Sequence, residues 1–183
     1  VARNVTRIYQ AGNIHQHLDL IAGLPEEDFE TFCHSFDDVY RLHPDQLQLG
    51  FLKVLKGAPM EKASGQYQIA YRDFAPYEVL MTHKISYKEL LTLKQMEEML
   101  EVHYNSGQFT ASVYYLESFF ERPCELYLSL AAWYEKRVGF HNGVNRLKRY
   151  EYFLSYFKEE ISKEEKEEVI MKELLLFDLY LRE

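Results

Sequence analysis

The sequence predicts a mainly α chain with a small α/β part at its amino-terminal end. Two observations carry that class. Near the start, His17–Ala22 and Gln46–Phe51 are short runs of period two, each followed by glycine or proline signals, with an amphipathic helical pattern between them. From Ser86 onward, about five stretches of helical periodicity are separated by Gly, Pro and capping sequences, with no further strand pattern.

The elements follow in order. Val1 to Ala11 reads as a helix ending on Gly12. His17–Ala22 places His17, Asp19 and Ile21 on one face and Leu18, Leu20 and Ala22 on the other, the pattern of a parallel strand buried on both sides. Gly23 and Pro25 break it, and the acidic triplet Glu26, Glu27, Asp28 opens a helix with Phe29, Phe32, Phe36, Val39 and Tyr40 facing the core. Leu42-His43-Pro44-Asp45 is a turn, because proline drives the residue before it out of helical geometry. The strand Gln46–Phe51 turns Gln46, Gln48 and Gly50 one way and Leu47, Leu49 and Phe51 the other. Lys53 and Lys56 flank a loop in which Gly57 either lets the backbone approach a ligand or simply makes a connecting turn. A short helical turn is expected over Met60 to Gly65, then two β-like pieces, Gln66 to Tyr71 and Tyr77 to Met81, joined through Arg72–Pro76.

Ser86-Tyr87-Lys88-Glu89 matches a capping box, in which each side chain satisfies the other residue's backbone N–H. The helix it opens carries Leu90, Leu93, Met96, Leu100 and Tyr104 along one stripe and stops at Asn105-Ser106-Gly107. Three more helices are expected with Phe109, Val113, Leu116 and Phe120, then Leu126, Leu130, Trp133 and Tyr134, then Leu147, Tyr150, Leu154 and Phe157 inward. Phe140-His141-Asn142-Gly143 is the loop between the last two. A second capping box at Ser162–Glu165 opens the final helix, with Val169, Ile170, Leu174, Phe177 and Leu181 on its core face and the charge run 163–168 solvated.

Composition narrows the function classes. A net charge of −8, from 29 acidic and 21 basic residues, argues against a nucleic-acid footprint, which needs a basic patch. Two widely separated cysteines, Cys33 and Cys124, fit a reducing compartment rather than a disulfide framework. No run is apolar enough for a membrane span and no signal peptide is visible, so a cytoplasmic location without membrane contact is expected. With 15 tyrosines and 12 phenylalanines mostly at helical spacing, large rings should supply much of the core.

Candidate chemistry concentrates near the first strand. His15 and His17 form a His-x-His pair, but a zinc site needs at least three protein ligands and no metal site is expected. His17 and Asp19 read as cavity-lining side chains if their strand end holds a ligand. His83, His103 and His141 have no partner that spacing reveals. The rings of Tyr114, Tyr115, Phe119, Phe120, Tyr127, Trp133 and Tyr134 read as packing or as the wall of a flat hydrophobic pocket.

Asp-Leu-Ile-Ala-Gly-Leu-Pro-Glu, Asp19 to Glu26, resembles the late barrel strand of radical S-adenosylmethionine (SAM) enzymes, where a Gly-x-Ile-x-Gly-x-x-Glu pattern lies against the adenine. Asp19 stands in place of the first glycine, as in many relatives. Asp45 to Met60 is similar to the following strand and loop of the subgroup in which a cobalamin-binding domain precedes the radical SAM core and a helical domain follows it. The resemblance implies that residues 1–83 are the carboxy-terminal portion of a radical SAM-like β/α barrel, the last βα units of a partial barrel, and that 84–183 form the helical domain. It implies cofactor contacts from Ile21, Gly23, Glu26, Leu52 and Lys53, and a substrate cavity lined by His17, Asp19 and Gln48. From the residues alone, Ile21 reads equally as core, Gly23 as a turn, and Glu26 as a complement to the helix dipole.

The family's Cys-x-x-x-Cys-x-x-Cys loop, which holds a [4Fe–4S] cluster, has no counterpart here. The chain is therefore expected to be a carboxy-terminal fragment. Its parent would use the cluster, SAM and a cobalamin in oxidoreductase or methyltransferase-like chemistry that starts from a deoxyadenosyl radical, while the fragment holds none of these cofactors and is inactive alone. Its expected partners are the missing amino-terminal part of the same protein, an unidentified small-molecule or macromolecular substrate, and, through self-association, a second copy. The alternative is a non-catalytic helical protein-interaction module. An upstream reading frame with the cysteine loop discriminates the first reading from the second.

Overall fold

Local capping and turn chemistry define most element boundaries in the computed structural model, which describes residues 2–140 and 143–181. His141 and Asn142 of the expected loop lie outside the described residues. The chain divides into two compact units, Val1–Glu97 and Glu98–Glu183. The division falls within helix α4 (Tyr87–Leu100). Leu90 of this helix and Val79 lie against Gly23 in the first unit.

In the first unit, α1 (Ala2–Ala11) ends where Gly12 takes φ +67°, a left-handed conformation that glycine adopts without a steric penalty. Strand β1 (His17–Ala22) pairs in parallel with β2 (Gln46–Phe51), in register from His17 opposite Gln46 to Ala22 opposite Phe51. Between them runs α2 (Phe29–Tyr40), capped by Asp28, whose carboxylate accepts from the Thr31 N–H at 2.9 Å. Phe32, Cys33, Phe36 and Tyr40 are buried, while Phe29 and Val39 are only half-buried. Glu26 and Glu27 precede the helix, so only Asp28 of the acidic triplet acts as its cap.

One expectation is overturned in β1. The strand is not packed on both sides: Ala22 is buried and Leu18 and Leu20 half-buried, but His17, Asp19 and Ile21 are exposed. Helix α2 covers one face of a sheet that has two strands. A single helix cannot cover both faces.

After β2 the chain pairs antiparallel with residues further on, Val79 N donating to Leu52 O and Val54 N to Tyr77 O, both at 2.8 Å. The short helix α3 (Pro59–Ala63) stands where a helical turn is expected. The two β-like pieces contract to β3 (Ala70–Tyr71) and β4 (Val79–Met81), an antiparallel pair. Gln66–Ile69 is a turn instead of strand, closed by Ile69 N donating to Ser64 O at 2.9 Å. The capping box of α4 is present: Glu89 Oε2 accepts from the Ser86 N–H at 2.8 Å, and Ser86 Oγ accepts from the Glu89 N–H at 3.3 Å.

The second unit holds α5 (Thr110–Glu117), α6 (Pro123–Arg137), α7 (Arg146–Tyr156) and α8 (Glu165–Tyr180), so among the described residues five α-helices follow residue 84. Two of them run into a π-turn, in which each N–H reaches back five residues. Ser106 N donates to Glu101 O at 3.0 Å after α4, and Ser162 N to Phe157 O at 2.8 Å after α7. His103 is buried and Tyr104 half-buried after α4, and Tyr150, Phe153 and Tyr156 form the inner face of α7 with Phe157 following them inward, leaving Leu147 exposed. Helix α8 departs furthest from the expected stripe. Its buried residues are Met171, Leu175 and Asp178, while Val169, Phe177 and Leu181 are exposed. Its capping box is Glu164/Glu167, not Ser162/Glu165, because Ser162 takes extended backbone geometry as the stop of the preceding turn.

Among the described residues, no helix is long and apolar enough to cross a membrane.

Candidate functional site

Parallel pairing in this register places Asp19 beside Gln48 and Ile21 beside Gly50 on the face that α2 leaves open. There the carboxyl ends of the two strands form a concavity of about 400 Å³ lined by Asp19, Leu20, Ile21, Gln48, Gly50, Phe51, Leu52 and Lys53. Gly50 contributes to it through what it lacks. A Cβ on Gly50 would meet only Leu20 O, at 3.5 Å, so the space beside Ile21 is open. Ile21 is 47% exposed, a large apolar side chain on a face that otherwise carries polar groups. At the far end Lys94 Nζ lies 4.8 Å from the centre of the Phe51 ring and pairs with Glu78, fixing that wall.

Ile21, Gly50 and Leu52 make an apolar floor, and Asp19, Gln48 and Lys53 supply an acid, an amide and an ammonium at its rim. A flat heterocycle carrying hydroxyl groups matches that combination: the floor accepts the ring and the rim can exchange hydrogen bonds with the substituents.

Of the residues nominated from sequence, Asp19, Ile21, Gln48, Leu52 and Lys53 come together here. The other three stand elsewhere. His17 is outside the lining, with Nε2 3.2 Å from Asp19 Oδ1. Gly23 is buried with φ +82°, and an added Cβ would stand 2.7 Å from Val79 Cγ1. Its conformation and its packing both require glycine. Glu26 sits in a tight turn at φ +58°, 3.6 Å from His83 Nε2, and His83 in turn stacks on Tyr67. His15 lies 3.8 Å from Asp45, and no cluster of His, Cys, Asp or Glu with metal-site geometry occurs among the described residues. Cys33 and Cys124 are both buried, one in each unit. Gly57 makes a turn away from the concavity, its N–H donating to Glu61 Oε2 at 2.7 Å.

Two residues of the second unit escaped the sequence reading. His103 is fully enclosed, stacked on Phe153 with ring centres 4.9 Å apart and packed against Phe109 and Tyr134. Its Nδ1 lies 3.0 Å from Met99 O, so Nδ1–H donates and Nε2 is left as a buried acceptor with no partner. Burial pushes its pKa down to about 3, and the imidazole is neutral. The spacing Met96, Met99, Leu100, His103 carried that signal, masked by the choice of Tyr104 for the stripe. Asp178, inside an apolar run of α8, accepts from the N–H groups of Ala111 and Ser112 at 3.0 and 2.9 Å and from Ser112 Oγ, capping α5 from another helix.

Comparison with known proteins places the concavity and the helical part differently. No curated protein matches the chain. A family model described as "Protein of unknown function (DUF4080)" matches residues 65–183, from just before β3 through α8, and the concavity lies ahead of the matched span. Since the match covers well over half of the sequence, the chain belongs to the DUF4080 family of proteins of unknown function.

Proposed function

We propose that this chain is the carboxy-terminal part of a radical SAM enzyme of the cobalamin-binding subgroup, and that the β1–β2 concavity receives the adenosine portion of SAM. The observation that supports it most is the convergence of Asp19, Ile21, Gln48, Leu52 and Lys53, nominated from two separate sequence segments, on one apolar-floored site. Ile21 and Leu52 would flank the adenine, with Gly50 leaving room for it. Asp19, with His17 nearby, would take hydroxyl groups or part of the substrate, with Gln48 beside it. Gly23 would serve the site indirectly, by fixing the path of the chain as it leaves β1. The cluster and SAM supply reductive carbon–sulfur cleavage when bound, and the role proposed for this chain is to hold, orient and shield. Cytoplasmic residence belongs to the same proposal.

Two experiments test it. The reading frame upstream of Val1 should encode a Cys-x-x-x-Cys-x-x-Cys loop, and a parent without one ends the proposal. In the reconstituted full-length protein, Gly50→Leu should raise KM for SAM, read as 5′-deoxyadenosine formation, with little change in folding, since Gly50 faces open space. The 183-residue chain alone should bind SAM weakly or not at all by calorimetry. Nanomolar binding to it would contradict the division of labour proposed.

A second reading, an interaction module without catalysis, draws on α8, where Val169, Leu176, Phe177 and Tyr180 are exposed. An upstream frame that lacks the cysteine loop would favour it.

A further inference from the structure

The second unit contains a cleft that the radical SAM reading does not use. Its volume is about 190 Å³, and Glu98, Met99, Val102, Tyr134, Val144 and Arg149 contribute to its walls. It forms where the π-turn after α4 meets α6 and the start of α7.

Two donors in it have no acceptor among the described residues. Tyr134 is only 4% exposed and lines the cleft, and among those residues nothing accepts from its hydroxyl. Burial raises its pKa above the usual phenol range, so the group is protonated and donates. Arg149 is half-buried on the same wall, and among the described residues no carboxylate or carbonyl takes its guanidinium. Arginine is always charged and presents a planar fork of N–H groups. A buried hydroxyl without a partner costs stability that tyrosine-to-phenylalanine substitution would recover, so keeping one points to a partner that comes and goes.

We infer that this cleft binds a small oxyanion, a carboxylate or a phosphate, between the Tyr134 hydroxyl and the Arg149 guanidinium. The surroundings fit. His103, packed against Tyr134 with ring centres 5.8 Å apart, is neutral and adds no competing charge. Met99 and Val102 supply apolar wall for a short carbon skeleton. The inference stands on the second unit alone and is independent of what the β1–β2 concavity holds.

Trp133, the sole tryptophan, has its ring 5.5 Å from that of Tyr134 and serves as the reporter. The 183-residue chain is titrated with inorganic phosphate, acetate and glycine at constant ionic strength, following Trp133 fluorescence. At least one probe should give a saturable change with Kd on the order of 1 mM, as two or three charge-assisted hydrogen bonds support. Tyr134→Phe and Arg149→Gln should each weaken it about tenfold or more. Glycine binding better than acetate marks an amino-acid carboxylate, and phosphate binding best marks a phosphate ester. Tyr134→Phe without ligand should keep or raise Tm, since it removes an unpaired polar group and leaves the ring in place. Arg149→Gln, at a half-buried surface position, tests the same binding while leaving Tyr134 in place. Absence of saturable binding by all three probes, binding unchanged in both variants, or a Tm loss in Tyr134→Phe that reveals a structural hydrogen bond would each overturn the inference.

Discussion

His103→Leu should remove most of the acid sensitivity of the second unit. In the native protein the imidazole is enclosed by Phe109, Tyr134 and Phe153, and burial, with a smaller contribution from the Arg149 charge, lowers its pKa from 6.5 to about 3. A base whose folded pKa is depressed binds its proton first in the unfolded chain. Stability from this group is therefore complete above pH 6.5 and is lost as pH falls from 6.5 toward about 3. Each pH unit in that window costs about 1.4 kcal/mol, so moving from pH 7 to pH 5 removes about 2 kcal/mol. Leucine has nearly the volume of histidine, carries no proton, and eliminates the unpaired Nε2 while giving up the bond to Met99 O. These effects at pH 7 oppose one another, and the variant should lie within about 1 kcal/mol of the native chain. Urea unfolding followed by Trp133 fluorescence reads the right unit, since Trp133 packs among Tyr134, Tyr152 and Tyr156. Between pH 7 and pH 5 the native chain should lose about 2 kcal/mol more than His103→Leu. The other titrating groups, Glu27 with its burial-raised pKa among them, are shared by both proteins and cancel in the difference. Equal losses in the two would refute the reasoning, because they would mean that the buried imidazole protonates without breaking its enclosure.

Asp178→Ala removes three hydrogen bonds at the start of α5 and should cost about 3 kcal/mol in urea unfolding, against about 1 kcal/mol for Ser112→Ala, which leaves both backbone caps in place. Gly23→Ala combines a left-handed backbone with a Cβ 2.7 Å from Val79 Cγ1 and should lower stability by about 2 kcal/mol or more, whereas Gly57→Ala, equally left-handed at φ +79° but facing open space, should cost about 1 kcal/mol. The open face of the β1–β2 sheet should promote self-association, and Ile21→Lys should reduce it, as measured by light scattering over a range of concentrations.

The parallel strands were legible to the residue, because period-two alternation ended by Gly23 and by the turn at His43–Asp45 admits little else. Capping chemistry did the same for α4, where Ser86 and Glu89 satisfy each other's N–H groups. The inward side chain at the end of α4 was less legible: His103 continues the i, i+3, i+4, i+7 stripe of Met96, Met99 and Leu100, while Tyr104, four residues after Leu100, competes for the same face and is only half-buried. In α8 the misplacement has another cause. The run Leu174-Leu175-Leu176-Phe177 offers apolar residues on every side, so hydrophobicity cannot choose the face, and the choice is made by Asp178 reaching the free N–H groups of α5. A polar residue in an apolar helix was the signal, and its partner lay 66 and 67 positions away.

The concavity in the first unit was visible for a related reason. On the face of β1 that carries His17 and Asp19, Ile21 breaks the polar pattern, and a half-exposed β-branched residue there is unfavourable unless something covers it. Gly50, directly across from it, leaves the cover out. Parallel strands usually lie within sheets protected on both faces, and a two-stranded parallel sheet protected on one face by α2 exposes backbone edges as well as Ile21. A ligand could cover the floor but not the edges. Further strands could cover the edges but, with Gly50 opposite Ile21, would still leave a hollow at the strands' carboxyl ends. The arrangement proposed above would supply both kinds of cover at once: a larger parallel sheet to complete the edges, around a cofactor that fills the floor.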